Sequence, residues 1–523
     1  MQLSLRADPI LRRYLAIGVV CAPLVALAGA FLMTIGTDES WIQLSIRGLA
    51  RGKAYGADSE AVIVHTTGGL YTLASCLLQW LSDESLIAVR LLSVGSVIVL
   101  LQMLRRQARA RGAEGCAELY PAALVVGVPG LLVLGGVAYA AVMASTFALA
   151  GILLWGSGRP SRQRAVLAGL VFGLAVGMRM NLAPVLVVPL VTLVTERGRG
   201  RRAVAEVGVT LSLALVCVGI QRALLSNWTL SDEALNELPA HGVSVAHTLF
   251  DAGPGFYVLE RLGFLIAGER YLPSLVRVGI TVAWLVTRSR HLERRTLDGL
   301  LSFAWALYLG WLFFAPIAHL RYLLPSTLAF AVAGGLVLVD AVHGSLTGRR
   351  FSTLACAGVM TLGYLHAGDA ILYGEQDLLS WEWNGRAARN WSLAPFSALK
   401  AEREVITYIR ERIPPEDTVA EVGFGTALAF ATGRDIRPVE AHYGRLSRHL
   451  WRNYRPHEKP ASPKWLVTTP FARFYPGGDP PTRMASWISE HCEPVSSSLT
   501  YSLCRLSEEL PDDPAVLFPP ESR

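Results

Sequence analysis

The stretch RRYLAIGVVCAPLVALAGAFLMTIGTDESW, residues 12–41, decides the architecture. Two arginines lead into an uncharged run from Tyr14 to Ile35, and the run is followed by an acidic pair, Asp38 and Glu39. A bilayer core about 30 Å thick needs roughly 20 apolar residues per helical span, so the run is long enough to cross. The positive flank marks the cytoplasmic side, and the chain leaves the membrane on the other side at the acidic pair. No cleavage-like site follows, so the run reads as a retained first helix with the N-terminus inside.

Working outward, the same pattern repeats. The 523 residues are 52% hydrophobic and 17% charged, against about 25% charged in a soluble domain. Apolar runs recur as far as Leu365 and stop near Gly368. Between them stand basic clusters at Arg6, Arg12 and Arg13; Arg105 to Arg111; Arg159 to Arg164; Arg197 to Arg202; Arg288 to Arg295; and Arg349 and Arg350. All six read as cytoplasmic, with room for an even number of crossings between neighbours. The net charge of +7 is therefore a topology signal and not a basic face for nucleic acid.

The expected fold class is an α-helical polytopic membrane protein of about eleven spans with a C-terminal extracytoplasmic α/β domain. The spans fall near 14–35, 86–104, 119–135, 138–156, 165–179, 182–195, 203–225, 273–287, 297–315, 322–340 and 351–367. Residues 1–369 form the membrane domain, with extracytoplasmic loops at 36–85 and 226–272, and residues 370–523 form the soluble domain. In the first loop WIQLSIRGLARG and LYTLASCLLQWL have helical apolar spacing and read as interfacial helices. FYVLERLGFLIAGERYL in the second loop is kept interfacial, because Glu260, Arg261, Glu269 and Arg270 are costly inside a bilayer.

The soluble part opens with the helix-like ALKAEREVITYIRERI, closed by Pro414 and Pro415. Strand-like DTVAEVGF, KWLVTT and LTYSLCRL follow. Cys492 and Cys504 flank EPVSSSLTYSL, which reads as two strands around a turn. They form a disulfide in an oxidising compartment or remain two buried thiols. The chain has no P-loop and no GxGxxG fingerprint, which argues against a transporter with its own nucleotide domain.

Several polar groups carry candidate chemistry. At the end of the first span, Asp38 or Glu39 is either a general base for an acceptor hydroxyl or a cap on the helix starting at Trp41. In HLRYLLP, Arg321 either holds a phosphate bidentately or snorkels to the interface with His319 and Tyr322 as ordinary belt residues. Arg179, in the tight GMRMNLAP turn, is satisfied by a phosphate or by a helix C-terminus. A lone His such as His65 is more often structural. Asp232, Glu233, His241, His247 and Asp251 lack compact metal-ligand spacing and read as a solvated loop.

Together the acidic pair, the His-containing segment about 27 residues later, the RxNxxP turn and the RYLLP segment resemble a GT-C glycosyltransferase, of the group that includes protein O-mannosyltransferases and aminoarabinose and arabinofuranosyl transferases. The resemblance covers about the first 370 residues and implies a polyprenyl-phosphate sugar as donor and an extracytoplasmic glycan, lipid or protein as acceptor. It implies Asp38 as base with Glu39 as partner or substitute, and Arg321, Tyr322, His319 and Arg179 as donor-phosphate ligands. His65 falls where relatives show a His-Pro-Pro-Leu-like segment and lines the acceptor or a metal site, although His65-Thr66-Thr67-Gly68-Gly69-Leu70 has neither proline. The turn from Leu134 to Tyr139, where many relatives carry a second acid, has none, which leaves a divalent metal open and places the weight on Asp38. A bacterial inner-membrane location follows from the same resemblance. The competing readings are a lipid-linked sugar flippase or transporter, and a glycan polymerase or ligase.

Overall fold

A computed structural model describes residues 2–35, 39, 42, 43, 46, 47, 68–83, 85–128, 130–157, 161–195, 200–229, 271–287, 294–314, 323–342, 346–373, 395–422, 426–434, 436–439, 462–468, 482–497 and 502–509. The protein is a multi-pass helical bundle carrying a small C-terminal mixed sheet. Its bundle helices are α1 Gln2–Leu32, α2 Gly69–Leu81, α3 Leu86–Ala110, α4 Tyr120–Val126, α5 Leu131–Gly135, α6 Ala140–Gly156, α7 Arg162–Met178, α8 Val187–Thr195, α9 Gly200–Thr229, α10 Tyr271–Thr287, α11 Arg294–Phe314, α12 Leu324–Ala341 and α13 Leu346–Tyr373. Five of the described helices hold a stretch long and apolar enough for an unbroken crossing: Pro9–Leu32, Leu86–Ala110, Gly200–Leu224, Leu324–Ala341 and Gly348–Leu372.

The expected span at 119–135 is broken. Gly127 ends α4, and Gly130 turns the chain at φ +82°, a left-handed conformation glycine adopts without a Cβ clash. The break lets backbone meet backbone. A Cβ on Gly136 would lie 2.7 Å from Ala26 O, and one on Gly363 would strike Val126 O and Gly127 Cα. The α7–α9 contact is built the same way, from Gly169 and Gly173 against Thr210 and Ala214. Small residues allow this close approach where the surrounding lipid gives no hydrophobic drive to associate.

The tight 165–195 pair turns back on itself. Arg179 lies against Tyr139 at the start of α6, while Trp155 Nε1 near the end of α6 donates to Thr192 Oγ1 of α8 at 2.9 Å. Several of the basic clusters are brought together by ion pairs and hydrogen bonds. Glu118 pairs with Arg105 and Arg109, Arg111 with Asp340, Glu206 with Arg202 and Arg295, and Tyr120 donates to Arg349 O.

In the C-terminal part, α14 Ser397–Glu411 precedes β1 Val419–Val422, α15 Thr426–Thr432, β2 Ile436–Val439, β3 Trp465–Thr468, α16 Thr482–His491, β4 Cys492–Ser497 and β5 Ser502–Leu506. The strand order is β2-β1-β3-β5-β4, parallel across β2, β1 and β3 and antiparallel across β3, β5 and β4. Side chains alternate between faces as the pleat requires. Val419, Val467 and Leu503 pack with Val405 and Ile409 of α14, whereas Ala420, Leu466 and Cys504 pack with Trp487 and Ile488 of α16. Cys492 and Cys504 are joined as a disulfide between β4 and β5.

Asp417 ties the leading edges of β1 and β3, accepting from Lys464 Nζ at 2.6 Å and Trp465 Nε1 at 3.2 Å. The Lys464 bond, then the indole, holds its carboxyl below the usual aspartate range. That contribution is complete above the ordinary aspartate pKa and is lost as pH falls through the lowered one. Asp417→Asn is therefore expected to flatten the acid side of the sheet's stability profile, read by hydrogen exchange of β1 and β3 from neutral to acid pH. Gly363→Val is expected to lower bundle stability by about 1–3 kcal/mol through overpacking. Gly358→Ala, with nothing within 4 Å of the added Cβ, is not; unfolding in detergent compares the two.

Candidate functional site

The site end of the bundle is organised by Arg90, which lies near the start of α3 and is 3% exposed. Its Nε and Nη2 clasp Glu39 at 2.8 and 2.6 Å, and its remaining N–H groups donate to Ala30 O, Met33 O and Thr34 O at 2.9, 3.1 and 2.9 Å. Ala30 O belongs to the last turn of α1, whose carbonyls lack intrahelical partners, and Met33 and Thr34 follow directly after it. All five guanidinium hydrogens are thereby used. Glu39 Oε1 also accepts from Ala138 N at 2.6 Å. An acid from the first loop thus reaches the 134–139 turn that has none of its own.

Both Glu39 oxygens are taken, so its geometry is that of a fixed counter-ion and not of an acceptor awaiting a proton. The expectation that Glu39 could substitute for Asp38 as base is corrected on this ground. The described residues of the first amphipathic stretch pack against the protein. Residues 39, 42, 43, 46 and 47 are helical and buried, one face at helical spacing. Gln43 Nε2 donates to Ala138 O at 3.1 Å, and Gln79 of α2 donates to Gln43 Oε1 at 2.7 Å.

From Ala138 the connection passes to Tyr139, the residue before α6. Arg179 leaves α7 with extended backbone, φ −148° and ψ 108°. Its guanidinium sits 4.7 Å from the Tyr139 ring centroid, and Nη2 donates to the Tyr139 hydroxyl at 3.2 Å. Next to it, Met178 O accepts from Gly68 N at 3.0 Å, and Gln221 Oε1 from Leu70 N at 3.2 Å. Gly69 between them has φ +61° and sits hard against Gln221. The segment just after His65 is thereby fixed beside Arg179.

The C-terminal part closes over this end. Ile35 N donates to Glu402 Oε1 at 3.0 Å, and Arg403 donates to Phe31 O at 3.3 Å. Arg47 Nη1 donates to Phe430 O at 2.9 Å while its guanidinium lies 3.9 Å from the Phe430 ring centroid. Buried Glu402 is close enough to add its field to Arg90.

Asp38, His65, His319, Arg321 and Tyr322 lie outside the described residues, as do Asp232, Glu233, His241, His247 and Asp251. Asp38 sits between two pinned residues, Ile35 and Glu39; Arg321 and Tyr322 precede buried Leu323 at the start of α12. Of the expected site residues, Glu39 and Arg179 are described and are linked through Ala138–Tyr139. Among the described residues no three His, Cys, Asp or Glu side chains are grouped to hold a metal ion. Arg90 and Tyr139 were missed from sequence. The available signal was the single cation in LIAVRLLSVGSVIVL, since an ionisable residue inside an apolar run calls for a partner.

Removing either member of the Glu39–Arg90 pair strands a buried charge, so Arg90→Met and Glu39→Gln are each expected to destabilise by about 3–5 kcal/mol. The double change Glu39→Gln with Arg90→Met is expected to cost less than the sum. Thermal unfolding of the purified protein in detergent gives the coupling.

No protein-family model matches the chain, and no curated protein matches it in sequence. Solved structures do. The crystal structure of ArnT from Cupriavidus metallidurans bound to undecaprenyl phosphate is similar with a TM-score of 0.59 at 14% identity, covering 94% of this chain and 97% of that one. The apo structure of the same protein gives 0.56 at 15% identity with the same coverage. At these identities the likeness is one of fold, and it takes in the bundle and the C-terminal part together. The chain shares the fold of these ArnT structures along nearly its whole length.

Proposed function

We propose that the protein is a membrane glycosyltransferase that moves a sugar from a polyprenyl-phosphate donor to an acceptor on the extracytoplasmic side. The observation that carries this reading is the fold likeness over both parts of the chain to ArnT, in one of whose structures undecaprenyl phosphate is bound. The reading divides the chain at about residue 369 into a membrane domain and an extracytoplasmic domain. Its orientation is supported by the ion pairs that bring several basic clusters together and by the Cys492–Cys504 disulfide in the C-terminal part, which suits an oxidising compartment.

In this reaction the acceptor hydroxyl attacks the anomeric carbon, its proton passes to Asp38, and the carbon–oxygen bond to the lipid phosphate breaks. One inverting displacement suffices, because a phosphate monoester is a good leaving group without a general acid. Arg321, with His319 and Tyr322, balances the charge the phosphate gains. Arg179, already stacked on Tyr139, and His65 line the same end. The role of the Arg90–Glu39 clasp is to hold the turn on which Asp38 sits, since a base must stay within hydrogen-bond reach of the proton it takes.

Asp38→Asn is expected to lower kcat about 10²–10⁴-fold, the usual worth of a positioned base. The assay is transfer by reconstituted protein from a polyprenyl-phosphate sugar, with Arg321→Ala measured alongside. Normal transfer by both variants overturns the assignment. Donor-dependent sugar movement across the bilayer without transfer would place the protein among flippases instead.

A further inference from the structure

The buried stripe of α14 is interrupted by a charge. Ala401, Val405 and Ile409 pack in the core beneath the sheet, and Glu402 stands beside them at 3% exposed. A carboxylate in an apolar stripe costs free energy unless it is hydrogen-bonded. Its partner belongs to the membrane part of the molecule, where Ile35 N donates to Glu402 Oε1 at 3.0 Å. Ile35 follows the end of α1 at Leu32, so its N–H finds an acceptor outside that helix. Each group answers the need of the other.

Helix α14 is built to carry a position from one part of the chain to the other. At its start Phe396 N donates to Leu372 O of α13 at 2.6 Å, and Arg403, next to Glu402, donates to Phe31 O of α1 at 3.3 Å. Its later turns pack through Val405 and Ile409 against Val419, Val467 and Leu503 of the sheet. Further along the first loop, Arg47 meets Phe430 of α15. The C-terminal part therefore holds the stretch from Ile35 to Arg47 at both ends, while Arg90 and Ala138 hold it between, at Glu39. Asp38 lies within that stretch, one residue before Glu39. Glu402 is also near enough for its charge to act on Arg90.

We propose that Glu402 is a positioning residue for sugar transfer: by holding the Ile35 amide from the C-terminal part, it fixes the backbone from which Asp38 acts. The inference rests on the proposed function for the role of Asp38. It makes the C-terminal part a component of the site and not only a cover over it. A misplacement of about 1 Å can cost roughly a hundredfold in rate. Donor binding needs no proton transfer, so the loss falls on kcat and not on KM.

The test is transfer from a polyprenyl-phosphate sugar by the reconstituted full chain, changed at residue 402. Glu402→Ala is expected to lower kcat about ten- to a hundredfold with the donor KM near that of the wild type. Glu402→Gln keeps an oxygen for Ile35 N and is expected to retain most of the activity. Glu402→Asp keeps the charge but draws the oxygen back by one methylene; it is expected to behave as Glu402→Ala does, and stands in for it where the alanine variant does not fold. In the Asp38→Asn background Glu402→Ala is expected to add less than about a twofold loss, since both changes act through one group. An equal loss in the two backgrounds, or Glu402→Gln no better than Glu402→Ala, overturns the proposal. Hydrogen exchange of the backbone around Ile35 reads the same contact without substrate. Glu402→Ala and Glu402→Asp are expected to speed it and Glu402→Gln is not; unchanged protection in the first two overturns the proposal whatever the activity. A wild type that transfers from no polyprenyl-phosphate sugar overturns the proposed function, whereas normal transfer by the wild type and by every Glu402 variant overturns the positioning role alone.

Discussion

A guanidinium taken out of water inside a membrane must have its hydrogens answered, and Arg90 meets that demand by drawing three separate parts of the chain to itself. The end of α1 supplies carbonyls, the first loop supplies the Glu39 carboxylate, and the same carboxylate fastens the 134–139 turn through Ala138 N. Everything at this end hangs from that clasp. The turn holds Tyr139, Tyr139 holds Arg179, and the backbone beside Arg179 holds the start of α2. Replacing the pair by apolar groups would remove the directional bonds that fix three loops in register, which is the use most often attested for buried ions.

Much of the fold could be read in the sequence, because apolar run length and arginine position report directly on the bilayer. Some of the basic clusters do meet in space, the 105–111 cluster with Asp340 of α12 and the 197–202 cluster with the 288–295 cluster through Glu206–Arg295. Hydropathy averages along the chain, however, and is blind to backbone angle. The 119–135 stretch stays apolar throughout although α4 ends at Gly127 and Gly130 turns the chain before α5, and neither event changes the hydropathy. Strand β2 escaped for the opposite reason, since Ile436-Arg437-Pro438-Val439 carries an arginine and a proline that weaken a strand signal. Its place at the sheet edge tolerates both.

The site was legible in its landmarks and not in its wiring. Asp38, Glu39 and Arg179 stand out because they interrupt apolar sequence, yet nothing local says that Glu39 reaches across about a hundred residues to Ala138, or that both of its oxygens are already engaged. The helical spacing of the 41–52 stretch was also visible, but burial against another domain and burial against lipid headgroups leave the same pattern of apolar residues. Arg47 decides between them only in three dimensions, where Phe430 receives it from the far end of the chain.

That long reach fixes an order of events during biogenesis. Chains fold as they emerge, N-terminal parts first. The turn after α1 is among the first segments made, but its clasp waits for Arg90, its link to the bundle waits for Ala138, and its outer contacts wait for Glu402 and Phe430. The Arg90–Glu39 clasp and its outer contacts are therefore complete only when the C-terminal part has arrived, so a nascent or truncated protein would hold Glu39 without the contacts that fix it.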